Sequence, residues 1–144
     1  MAPTGDQLKQ SAGAMLLYAF VLVEIDAPQC ADATAPGHHM DQLAALGRPI
    51  FAYMMSLPAG ERMKLGDTAL ALEVATAPLR RPDEVLCSNG LAEETASLKH
   101  QGDPPTQYAD PAQWRPQQAQ TRQLMPATLT QLLTPQDGSG AGGN

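Results

Sequence analysis

Apolar residues recur every three to four positions over residues 5–77, the spacing of amphipathic helices rather than the alternation of strands. The first segment predicts a helix over 5–27. Thr4 and Gln7 match a capping box, a hydroxyl followed three positions later by an amide that can bond back. Leu8, Ala12, Met15, Ala19, Leu22 and Val23 form its main stripe, while Leu17, Phe20 and Val21 make the second half apolar on nearly every side. A helix of that kind lies in the middle of a bundle or docks against a partner. Pro28 ends it, with Cys30 just beyond.

Residues 29–37 read as a loop with Pro36-Gly37 as its turn, and a second helix follows over 38–55. Met40, Leu43, Gly47, Ile50, Phe51 and Met54 stay in phase across Pro49, which places that proline on the polar side as a kink rather than a stop. Ser56 is the expected cap of a third helix, with Pro58 in its first turn. Met63, Leu70, Val74 and Ala77 form one stripe of that helix, and Leu65, Ala69 and Leu72 form another. Two opposed stripes suit a helix sandwiched between two others. Pro78 and Pro82 break the pattern. A short turn of helix over 82–88 carries Cys87, Asn89-Gly90 supplies a left-handed stop, and a last short helix covers 91–100.

Residues 104–144 change character, holding six prolines and eight glutamines with few large apolar side chains. Asp110-Pro111 starts a short helix reaching Trp114, and Met125, Leu129, Leu132 and Leu133 make one small amphipathic patch from Pro126 onward. The predicted fold is all-α: a bundle of four to five helices over residues 1–102 with one disulfide, followed by a partly extended Pro/Gln-rich tail over 103–144. Trp114 and Leu132 anchor that tail on the bundle. Its Gly-rich end, 138–143, is linker-like and expected to be mobile.

Composition sharpens this picture. Aromatic residues are only 4% of the chain, so the core must be built from Leu, Ala, Met and Val, which helices use better than sheets do. Fifteen acidic against nine basic side chains give a net charge of −6 with no Lys/Arg cluster. Such a surface repels phosphate backbones and anionic membranes alike. The apolar stretch 13–23 has eleven residues, too few to span a bilayer. It could serve as the centre of a signal peptide, but only Lys9 precedes it and Glu24 and Asp26 follow at once. The chain reads as a mature domain whose export signal has been removed.

Cys30 and Cys87 lie 57 positions apart, outside any CxxC pair or zinc-like cluster. A disulfide between them is the simplest reading and would contribute roughly 3–5 kcal/mol. It also implies an oxidising compartment, periplasmic or extracellular.

The chain carries no nucleophile elbow, HExxH, GxGxxG, phosphate-binding loop or EF-hand spacing, and no enzymatic activity is expected. His38-His39-Met40 offers copper-binding groups. Adjacent residues on a helix diverge by about 100°, however, and Met40 lies on the core stripe, so no metal or cofactor is expected. Asp83-Glu84 and Glu93-Glu94 read as solvated helix starts. Arg80-Arg81, between prolines, reads as a stiff exposed basic turn able to meet a carboxylate.

These features point to an exported protein-binding module, an inhibitor or immunity-type protein for a partner enzyme of the bacterial periplasm such as a cell-wall hydrolase. That assignment is an analogy of architecture. The candidate contacts are the 31–39 loop, with Asp32, His38, His39 and nearby Asp41, and the 77–82 turn with Arg80 and Arg81. The acidic pair would steer a basic partner. The alternatives are a periplasmic copper-binding protein using His38, His39 and Met40, or a self-associating component that dimerises through the outer side of the first helix.

Overall fold

Thr4 begins the first helix in the manner its sequence predicts. Its hydroxyl accepts from the Gln7 N–H at 3.2 Å, and its own N–H donates to the Gln7 side chain at 2.8 Å. Helix α1 then runs Gly5–Asp26. The computed structural model describes residues 2–99 and 106–136. Its further helices are α2 (Thr34–Ser56), α3 (Ala59–Thr76), α4 (Glu84–Cys87), α5 (Leu91–Leu98) and α6 (Pro111–Leu132), with 3-10 turns after α1 and α3. The described residues are mostly helical and contain no strand, only an isolated bridge between Cys30 and Tyr108.

Because the second half of α1 is apolar on nearly every side, it has two faces it could bury. The bundle takes the one bearing Ala14, Leu17, Val21 and Ile25. Full burial of each large residue is worth about 1.5–3 kcal/mol. Of the stripe predicted as the main one, Leu8 and Met15 stay outside, 57% and 55% exposed, while Ala12, Ala19, Leu22 and Val23 are half-buried. With its 3-10 turn, Gly5–Gln29, α1 is also long and apolar enough to cross a membrane by length and composition, so the eleven-residue count drew its apolar part too narrowly. Here the same helix forms the centre of the bundle, contacting α2, α3 and α6.

Three boundaries differ from the sequence reading. Helix α2 starts at Thr34 rather than at residue 38, because Pro36 sits in its first turn, where the missing N–H has no intrahelical partner to lose. Ser56 closes α2 instead of capping α3, donating its hydroxyl to the Tyr53 carbonyl at 2.6 Å, and Pro58 takes the cap position. The largest correction concerns the segment expected to be partly extended. Asp110 does cap a helix, but that helix continues unbroken to Leu132 and is the sixth among the described residues.

Pro116 and Pro126 both lie on the exposed side of α6. Each interior proline costs about 3 kcal/mol. Burial of Trp114, Met125, Leu129 and Leu133 offsets it. The central core joins Leu17, Val21 and Ile25 of α1, Met54 of α2 and Ala69 of α3 to Met125, Leu129 and Leu133. The expected boundary at 102/103, His100, and the Gly-rich end 138–143 lie outside the described residues.

Cys30 and Cys87 are bonded, with an S–S distance of 1.98 Å and both residues buried. The bond ties the end of α1 to α4. Two backbone hydrogen bonds, Ala109 N–H to Gln29 at 2.8 Å and Ala31 N–H to Gln107 at 3.2 Å, bring the start of α6 to the same corner.

Candidate functional site

The helices bring together four charged side chains that the sequence scatters over nearly a hundred positions. Arg80 leaves the turn after α3 and reaches inward, its Nε 3.0 Å from Asp26 and its Nη2 2.8 Å from Glu73. From α6, Arg122 grips the same Glu73 at 2.7 Å through Nη2, with its Nε 3.0 and 3.1 Å from the two carboxylate oxygens. Gln118 donates to Asp26 at 3.0 Å, and Thr76 accepts from Arg80 at 2.9 Å. The Tyr18 hydroxyl meets Thr76 at 2.7 Å.

Burial pushes the Glu73 carboxyl up, but the hydrogen bonds and charges of Arg122 and Arg80 outweigh it and hold the group below its ordinary value of 4.5. Burial likewise disfavours charged Arg80, and Asp26 and Glu73 more than compensate. Two cations match two anions, and both oxygens of each carboxylate are engaged. The cluster is a lock between the ends of α1 and α3 and the middle of α6. An acid held ionised on both oxygens is poorly placed to exchange protons with a substrate near neutrality.

The sequence reading missed this lock because it treated charges as surface. Arg62, Gly66, Ala69 and Glu73 are the buried face of α3; of the two predicted apolar stripes only Ala69 is fully inside, with Met63, Leu65 and Leu70 packed half-buried against the core. The 4-3-4 spacing of that buried face was the available signal. Arg62 donates to the Leu133 carbonyl at 2.8 Å and the Leu57 carbonyl at 2.6 Å, placing a cation at the ends of α6 and α2.

The predicted contact residues fall on several elements. Asp32 is occupied as a cap: it accepts from the Thr34 N–H at 3.0 Å and the Ala92 N–H at 3.2 Å. Bonds from Thr34 and Ala92, against a smaller effect of burial, keep its carboxyl below 3.8. His39 meets the Ser88 carbonyl at 3.2 Å, whereas His38 and Asp41 are exposed on α2. The exposed basic turn is corrected at Arg80, which turns inward, while Arg81 stays in solvent. Met40 lines a groove whose lining includes neither imidazole. Among the described residues, no three His, Cys, Asp or Glu side chains group as a metal site.

That groove runs along α1 between α2 and the end of α6 and encloses about 280 Å³. Leu16 and Phe20 form its floor, Met40, Leu43 and Phe51 one wall, and Leu132 the other. At Gly47 the two helices meet so closely that a Cβ would lie 2.5 Å from Leu16. Arg48 supplies the single charge at the groove, and it has no ion-pair or hydrogen-bond partner among the described residues.

No protein-family model, curated protein or solved structure matches the chain.

Proposed function

We propose that this chain is a small exported protein that works by binding another protein, as an inhibitor or immunity-type partner of an envelope enzyme. The observation that carries this reading is the outer stripe of α1. Leu8, Ala12, Met15, Ala19 and Leu22 share one side of the helix by spacing, and Leu8 and Met15 are more than half exposed. An apolar stripe at that spacing suits docking into a partner's groove. A buried disulfide in so small a chain supports an oxidising compartment.

The test is an affinity capture from the envelope fraction of the source organism, run in parallel with Met15→Glu and Leu8→Glu chains. Both positions are exposed, so the variants should retain the helical circular dichroism of the parent. The expected result is one stoichiometric partner that the parent holds and both variants lose. Capture that is indifferent to the charge, or no partner at all, sinks the reading. A stable dimer that the same two variants dissociate would replace it with self-association.

A further inference from the structure

The α1–α2–α6 groove is separate from the outer stripe of α1, and its chemistry is more selective. Leu16, Phe20, Met40, Phe51 and Leu132 give it an apolar interior, and its volume of about 280 Å³ is near the lower end of small-ligand sites, roughly 300–1,000 Å³. It exists because α2 packs mainly on α1 and α4, whereas α6 packs on α1 and α3, leaving α1 uncovered between them.

Arg48 identifies the occupant further. Every other cation close to the core is committed: Arg62 to helix-end carbonyls, Arg80 and Arg122 to Asp26 and Glu73. Arg48 has no such partner among the described residues and stands at the edge of an apolar slot on an otherwise acidic protein. A planar guanidinium pairs with one carboxylate through two parallel hydrogen bonds, whereas a bulkier phosphate head, with more charge to satisfy, would call on further donors.

We propose that the groove binds a long-chain carboxylate, with the acyl chain laid along α1 between Met40 and Leu132 and the carboxylate held by Arg48. This inference goes beyond the protein-binding reading and stands whether or not that reading does.

Isothermal titration of the delipidated, disulfide-bonded full chain with oleate, kept below its micelle threshold, tests it directly. One oleate per chain is expected. Arg48→Gln should weaken binding about tenfold, and oleyl alcohol should bind the parent about tenfold more weakly than oleate and ignore the substitution. Ala44→Trp, at an exposed position on the groove wall, should abolish binding of both while leaving the helical spectrum unchanged. Absent or non-saturable binding overturns the proposal. So does oleate binding that survives Ala44→Trp, or affinity equal for acid and alcohol. A stable dimer that oleate leaves intact and Ala44→Trp dissociates would also overturn it, by assigning the groove to a second copy.

Discussion

The carboxylate of Asp32 stands in the space where a side chain at Gly90 would begin. Gly90 is the N-cap position of α5 and brings no capping group of its own. Asp32 accepts from Ala92 N–H and the Thr34 hydroxyl from Leu91 N–H at 2.8 Å, so the cap arrives from about 60 positions upstream. The backbone at Gly90, with φ −85°, is one any residue can adopt. The glycine is required by the neighbour, not by the dihedral. Gly90→Ala should therefore cost about 0.5–2 kcal/mol, the range for losing an N-cap, and Asp32→Ala a similar amount. The double variant should cost clearly less than the two together, since each single change removes the same contact. Urea midpoints for the four chains decide this, and strict additivity would rule the contact out.

Glu73 is the centre of the charged lock, and its neighbours are not equivalent to it. It is 1% exposed and serves two arginines, whereas the Arg122 side chain remains 35% exposed. Glu73→Gln leaves two guanidiniums without their shared anion and should destabilise by about 3–5 kcal/mol. Arg122→Gln leaves the Arg80–Glu73 pair intact and should cost distinctly less. Equal losses in denaturant unfolding would show that Arg80 and Arg122 do not share the carboxylate as the geometry indicates.

The same groups set the acid limit of stability. Glu73 and Asp32 titrate lower folded than unfolded, so the stability they confer is complete above their ordinary values of 4.5 and 3.8 and is lost as the pH falls through the folded values. Arg80 is raised above its ordinary value, so its share would vanish only at extreme alkalinity and adds nothing to the acid limb. Unfolding free energy should be level from neutrality to about pH 5 and then fall. Glu73→Gln should flatten that fall, and an unchanged acid slope in the variant would refute the assignment.

What the sequence made legible was local chemistry. The Thr4–Gln7 box, the Asp110 cap and the left-handed stop at Asn89, with φ 62°, each depend on residues within a few positions. The disulfide needed only the count of two cysteines. Long-range polar satisfaction was hidden. In α6, Gln118 and Arg122 lie in phase with Trp114, Met125, Leu129 and Leu133, so one continuous stripe looked like two fragments separated by polar residues. Only the partners Asp26 and Glu73, brought in by other helices, make those positions interior. The α1 faces were ambiguous for the opposite reason, since an all-apolar circumference does not say which side its neighbours will take.

The disulfide should matter most where apolar packing is thinnest. Helix α5 has no buried residue, and α4 buries only Leu86 and Cys87. The 84–98 segment is thus held by the Cys30–Cys87 bond, the Asp32–Thr34 cap and the His39–Ser88 contact. Replacing both cysteines with alanine opens a loop of 57 residues, and the chain-entropy estimate for such a closure is about 4 kcal/mol. That is a large share of the roughly 5–15 kcal/mol that keeps a domain folded. The loss should also be uneven. In hydrogen exchange, residues 84–98 should lose protection in the Cys30→Ala/Cys87→Ala chain well before α1, α3 and α6, whose contacts with one another do not pass through the bond. Uniform loss across all helices would instead mean that the disulfide acts only on the unfolded chain and that α4 and α5 are integral to the cooperative core.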